Sequence, residues 1–95
     1  MNKYEITVIV KPNLEEEALN AEFAHVEELI ERFGGTVEKV DDWGKRRLAY
    51  EIQKLNEGFY RFFTVLAEAG LPAEIEARIR LRENVLRYLI INVEE

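Results

Sequence analysis

A strand followed by a helix is encoded in residues 3–35, KYEITVIVKPNLEEEALNAEFAHVEELIERFGG. In residues 3–10, apolar and polar side chains alternate with period two, which predicts a strand. This strand is expected to end at Pro12, because proline has no N–H to donate to a sheet. Over Leu14 to Phe33, apolar side chains recur every three or four residues, which predicts an amphipathic helix. The two glycines at 34–35 are predicted to end it.

The polar residues of this helix are expected to have ordinary roles. Asn13 is the predicted N-cap, because its side chain can accept a bond from a free N–H of the first turn. The glutamates of the helix, Glu22 among them, are interpreted as a solvated face. His25 lies beside the apolar stripe and is interpreted as a boundary residue rather than a catalytic group.

Outward from residue 35, the patterns predict three more strands and a shorter helix. They indicate a strand over 36–52 that bends at Trp43 and Gly44, a turn over 54–58, a strand over 59–67, a helix that opens at 70–72 and breaks at 83–84, and a strand over 85–93 with a frayed end at 94–95. The order β-α-β-β-α-β predicts one domain over residues 1–95, of the α+β, ferredoxin-like class. Two helices then cover one face of a four-stranded antiparallel sheet, and the other face stays bare.

The composition excludes most catalytic chemistry. The chain has 95 residues, of which 47% are hydrophobic and 34% charged, and this balance is typical of a globular domain. There is no cysteine and only one histidine, so thiol catalysis, thiolate metal sites and multi-histidine sites are excluded. Asp41 and Asp42 could hold Mg²⁺ through oxygen ligands, but adjacent acids are common in bends. We predict no catalytic residue, no metal site and no cofactor.

Charge is divided unevenly along the chain. The net charge is −6, yet residues 1–42 carry 4 Lys/Arg and 11 Asp/Glu whereas residues 43–95 carry 9 and 8. A local field matters more to a phosphate than the total charge does. One surface could therefore meet RNA while another meets a basic protein, although a merely solvated surface has the same composition.

The bare face of the sheet is predicted to be apolar. The third and fourth strands carry large apolar residues on both faces, whereas a face that meets only water should be polar. An exposed apolar patch of this kind is typical of a partner-binding surface, although central strands are rich in such residues in any case. The predicted contacts for a protein partner are Ile9, Tyr50, Tyr60, Phe62, Leu89 and Ile91.

Basic residues are spaced among aromatic ones in the second half of the chain. They occur at 45–47, within the run WGKRRLAY, and at Arg78, Arg80, Arg82 and Arg87. The planar arginine fork suits phosphate, and aromatic rings can stack on bases. The alternative is that charges at 45–47 protect an edge strand from unwanted pairing.

A family resemblance joins these features. The run GKRRLAYEI at 44–52 closely resembles the signature of the sixth protein of the bacterial small ribosomal subunit. Weaker matches at the same relative places are Tyr4-Glu5, Pro12-Asn13, 37–40, Gly58-Phe59 and 80–85. The resemblance covers essentially the whole chain.

This resemblance implies a structural, non-catalytic component of the cytoplasmic ribosome with a ferredoxin-like fold. Members of the family bind 16S ribosomal RNA in the central domain, at the platform, together with a small basic partner, the eighteenth protein of that subunit. Neither a membrane nor a small-molecule substrate is expected. The predicted RNA contacts carried over to this chain are Lys45, Arg46, Arg47, Arg80, Arg82 and Arg87.

Two alternatives share the same order of elements. One is a free-standing RNA-recognition domain, whose third strand carries a glycine-aromatic-glycine/alanine-aromatic motif. Here Gly58 and Phe59 fit that motif, but Tyr60 and Arg61 occupy the next two places. The other is a regulatory domain for a small ligand, and the fold alone does not distinguish it from an RNA-binding one.

Overall fold

The computed structural model describes residues 1–93 and has the predicted order of elements. They are β1 (Asn2–Val10), α1 (Glu16–Arg32), β2 (Thr36–Ile52), β3 (Leu55–Ala67), α2 (Leu71–Ile79) and β4 (Val85–Asn92). Within the described residues the strands form a four-stranded antiparallel sheet in the order β2-β3-β1-β4. The ferredoxin-like prediction is confirmed, and the predicted frayed end at 94–95 lies outside the described residues.

The core lies between the two helices and one face of the sheet. Because β1 is central, its alternate side chains Ile6 and Val8 are fully buried, at 0% exposure. The sequence left open which face of β3 is buried. On the helix side β3 places Phe63, Val65 and Ala67, all fully buried, and the helices contribute Phe23, Val26, Leu29, Ile30, Leu71, Ile75 and Ile79.

The predicted N-cap of α1 is wrong. The helix begins at Glu16, and its N-cap is Glu15, which makes no side-chain capping bond. Asn13 lies in the preceding turn, and Leu14 packs on the core instead of entering the helix. Glu16 and Glu17 of the first turn still interact favourably with the positive end of the helix dipole.

The second helix is shorter than predicted, since α2 ends at Ile79 rather than near residue 83. The N–H of Leu81 donates to the carbonyl of Arg78 at 3.3 Å, and the N–H of Arg82 donates to that of Ile79 at 2.9 Å. These bonds span three residues, so the chain tightens into turns and the α-helical pattern stops.

The turn between β2 and β3 is also displaced from its predicted place. It consists of Gln53 and Lys54, whose φ angles are 52° and 65°, while residues 55–58 belong to β3. A two-residue turn of this kind favours asparagine and glycine, because positive φ costs other residues roughly 1 kcal/mol or more each. Gly58 lies inside the strand. A Cβ atom there would come within 2.6 Å of the Cγ2 atom of Ile9, so glycine permits the close approach.

The end of the β2–β3 hairpin, residues 46–58, is here called the hairpin arm. Arg47 pairs with Glu57 and Ile52 pairs with Leu55, so residues 48–51 of β2 lie opposite Asn56 alone. Extra residues on one strand bend it and increase its twist. At this irregularity the arm bends and lies over the open face of the sheet. Leu48 of the arm is therefore only 8% exposed.

Candidate functional site

An apolar pocket of about 170 Å³ lies between the hairpin arm and the open face of the sheet. The arm contributes Leu48, Tyr50 and Ile52 to the lining, and the sheet contributes Ile9 and Tyr60. Ile9 was predicted as an exposed partner contact, but it is only 7% exposed, because the arm and the close approach at position 58 cover it. Its contact with a partner stays a prediction, and in the free chain the residue is buried.

Residues 1–93 leave the rest of the open face uncovered. Leu89 and Ile91 of β4 are 47% and 45% exposed, as the outward positions of that strand predict. Phe62 of β3 is half-buried on the same face, and its ring centroid lies 4.6 Å from that of Trp43. Trp43 is 50% exposed and was not among the predicted contacts, although its size and its place in a bend were a signal. The arm therefore covers one end of an apolar face and leaves the other end open.

Charges are distributed unevenly over this face. At the open end, Glu5 of β1 pairs with Ile91 of β4, and Asp41 of β2 pairs with Phe62 of β3. At the arm end, the Arg46 guanidinium lies over the Trp43 ring, 5.4 Å from its centroid. Lys39, whose register partner Thr64 also pairs with Glu5, forms an ion pair with Asp41 at 3.9 Å. The open end therefore carries charges of both signs, whereas the arm end is basic.

Three of the predicted arginines come together at the other side of the arm. Arg80, Arg82 and Arg87 line a surface hollow of about 450 Å³, to which the hairpin turn adds Gln53. Glu83 is the carboxylate in this lining. The hollow has a positive balance and therefore suits an anion such as a phosphodiester.

Arg87 lies at the boundary between the hollow and the apolar pocket, and it lines both. Its guanidinium donates a hydrogen bond to the Tyr50 hydroxyl and lies 5.7 Å from the centre of that ring. Tyr50 comes from the strand at the opposite edge of the sheet, so this contact holds the arm across the face.

Arg82 has a partner inside the chain. Its guanidinium donates to both carboxylate oxygens of Glu22, at 3.2 and 2.9 Å, and Asn84 donates to the same group at 3.2 Å. Burial raises the pKa of Glu22, but these hydrogen bonds and the positive charge of Arg82 outweigh it and leave the pKa below 4.5. The interpretation of Glu22 as part of a solvated face is wrong, since it is 7% exposed. The RNA role of Arg82 stays a prediction.

The other three predicted RNA contacts do not form one cluster. Lys45 pairs with Phe59 in the register and lies over its ring on the helix side of the sheet, 5.6 Å from the centroid. Arg46 is on the open face, because neighbouring residues of a strand point to opposite faces. Arg47 is exposed and, within residues 1–93, its side chain makes no hydrogen bond or ion pair.

The bend of the hairpin arm places Gln53 at the arginine hollow and Tyr50 beside Arg87. Sequence patterns did not predict that Gln53 would line the arginine hollow, because the residue is remote from Arg80 in the chain and lies between the predicted strand over 36–52 and the predicted turn over 54–58. No helix among the described residues combines the length and apolarity that a membrane crossing needs.

A ferredoxin-like sheet with one open apolar face and an adjoining arginine hollow defines a binding protein. Comparison with known proteins gives the family. The family model of ribosomal protein S6 matches residues 3–92. The small ribosomal subunit protein bS6 of Clostridium acetobutylicum is 44% identical over 95 residues, with both chains fully covered. That of Alkaliphilus oremlandii is also 44% identical over the full length of both.

Solved structures agree. The crystal structure of 30S ribosomal protein S6 from Thermotoga maritima matches with a TM-score of 0.93 at 30% identity, covering 97% of this chain and 87% of that one. The C-terminal domain of MgtC from Mycobacterium tuberculosis matches with a TM-score of 0.65 at 14% identity, over 99% and 89% of the chains, and this shows the shared fold alone. This chain belongs to the ribosomal protein S6 family.

Membership confirms the predicted class of protein. The chain is a structural, non-enzymatic component of the small subunit of the cytoplasmic ribosome. Membership of this family implies that the partners are ribosomal RNA and ribosomal proteins. It also favours this class over the two alternatives, a free-standing RNA-recognition domain and a small-ligand domain.

Proposed function

We propose that this chain binds 16S ribosomal RNA of the central domain through the arginine hollow. The observation that carries the proposal is the convergence of Arg80, Arg82 and Arg87 on one hollow. Arg80 is exposed and, among residues 1–93, its side chain has no hydrogen-bond or ion-pair partner, so its fork is available to a phosphate. Arg46 and Arg47 on the arm are further proposed RNA contacts, although they lie outside the hollow.

The protein partner we propose is the small basic eighteenth protein of the small subunit, docked on the open end of the sheet face. Leu89, Ile91 and Phe62 offer it apolar area that the described part of the chain leaves uncovered. Glu5 and Asp41 border this area, and Asp41 also pairs with Lys39; these carboxylates can bind cationic groups of a basic partner.

Both surfaces support joint binding. The chain carries a net charge of −6, so it is repelled by RNA at long range and neutralises few phosphates by itself. A basic partner on the open end offsets the net negative charge of the chain and adds phosphate contacts of its own. RNA affinity is therefore low for the chain alone and rises when the partner is present.

Filter binding tests this proposal with a transcript of the 16S central domain. We expect the affinity measured with both proteins to exceed that of either alone by about tenfold or more. Arg80→Ala should weaken retention of the RNA, whereas Arg32→Ala should not, since Arg32 is in the last turn of α1 and pairs with Glu28. Tight, salt-insensitive binding by the chain alone would reject the proposal.

A further inference from the structure

The turn of the hairpin arm carries a conformational cost that its sequence does not relieve. Gln53 and Lys54 both have positive φ, at 52° and 65°. Asparagine followed by glycine suits a two-residue turn of this geometry much better. Strained backbone of this kind is found most often at functional sites, where the side chain is needed more than the relaxed backbone.

The position of the turn indicates what the side chains do. The bend over 48–51 folds the arm across the sheet, and Tyr50 accepts a hydrogen bond from Arg87 on β4. As a result, Gln53 lines the same hollow as Arg80 and Arg87. Lys54 is the next residue and is exposed.

The chemistry of the turn matches that of the hollow. Among residues 1–93, the Lys54 side chain has no hydrogen-bond or ion-pair partner. Lys54 does not line the hollow itself, but it follows Gln53 directly in the chain, so its ammonium group adds positive charge to this end of the arm. The Gln53 amide can donate to a phosphate or sugar oxygen. A merely structural turn would require neither group.

We propose that Gln53 and Lys54 form part of an RNA-backbone site, in which the turn of the arm closes one side of the arginine hollow over a phosphodiester. This inference rests on the proposed RNA-binding function and adds to it a contact segment that the basic-residue pattern did not include. Lys54 contacts a phosphate, and the Gln53 amide donates a hydrogen bond that orients the RNA backbone.

A double substitution separates binding from turn structure. In the variant Gln53→Asn with Lys54→Gly, relief of strain should raise the melting temperature by a few degrees. The same change should weaken binding of the 16S central-domain transcript, measured with the basic partner present, about three- to tenfold. It should also lower the slope of log affinity against log salt by about one, as loss of one phosphate contact does.

Two further measurements keep the outcomes distinct. Lys54→Gln removes the charge but leaves the turn strained, so it should reproduce the lower salt slope without the gain in melting temperature. Unchanged RNA affinity and salt slope in the double variant, with the wild type binding normally, would overturn the inference and leave the RNA function standing. Failure of the wild-type chain and partner to bind the transcript would overturn both.

Discussion

Substitution of glutamine for Leu89 and Ile91 together is expected to weaken binding of the basic partner about 100-fold. Both side chains are about half exposed in the free chain, at 47% and 45%, and would be covered by the partner. Loss of their remaining apolar burial costs about 1 kcal/mol each. Burial of the new amides adds about 1–3 kcal/mol where they lack hydrogen bonds, and 1.4 kcal/mol is a factor of ten in affinity.

The measurement is a titration of the RNA transcript and chain with the basic partner. Glutamine is neutral, so the charges that border the face are preserved, and the loss of affinity comes from the lost apolar burial and from burial of the new amides. Val40→Gln is the matched control, because Val40 is 41% exposed but lies opposite Phe63, on the helix side of the sheet. Equal loss of affinity in the control, or none in the double variant, would show that the partner docks elsewhere.

Glu22→Gln is expected to lower the free energy of unfolding by about 2 kcal/mol at neutral pH. The change removes a buried carboxylate that holds the Arg82 fork at 2.9 Å and the Asn84 amide at 3.2 Å. The expected loss of unfolding free energy is smaller than for a fully buried ion pair, because the Arg82 side chain is 38% exposed and remains partly solvated. For a domain of this size the melting temperature should fall by about 10 °C.

The ion pair of Glu22 with Arg82 also predicts how the stability of the fold depends on pH. The pKa of Glu22 is below 4.5 in the folded chain, so its ionised form is favoured by folding. The stabilisation is fully present above pH 4.5, the value in the unfolded chain, and is lost as pH falls through the lower, folded pKa. The difference between wild type and Glu22→Gln should therefore shrink in acid.

Glu28→Gln is the control for this prediction. Glu28 is on the same helix, and its pair with Arg32 is exposed, with side-chain exposures of 61% and 52%. Exposed pairs at this spacing contribute about 0.3–0.5 kcal/mol, so the control should hardly change the melting temperature. Similar losses in both variants, measured by thermal unfolding, would contradict a special role for Glu22.

The fold was predictable because the residues that build it repeat with simple periods. Alternation in β1 and a spacing of three or four in α1 identify the elements and the side chains that they bury. The exact ends were less predictable. The end of α2, for example, depends on local turns at Leu81 and Arg82 that no periodicity marks.

The site was predictable only where it follows from the strand pattern. Leu89 and Ile91 lie on the open face, as the alternation of β4 predicts, whereas the pattern of β3 is apolar on both faces and did not decide on which of them Phe62 lies. The burial of Ile9 and the pairing of Arg82 with Glu22 depend on contacts between residues far apart in the chain, the latter separated by 60 positions. A helix pattern cannot show that one glutamate of α1 meets the loop before β4.

Cross-saturation NMR tests the docking of the partner on the open face most directly. A deuterated chain with protonated Leu, Ile and Val methyl groups is assembled with protonated basic partner and RNA, and aliphatic protons of the partner are irradiated. The methyl signals of Leu89 and Ile91 should lose intensity, while those of Ile75 and Ile79, on the buried face of α2, should not. Loss confined to Val40 or Leu81, with Leu89 and Ile91 unaffected, would contradict docking on this face.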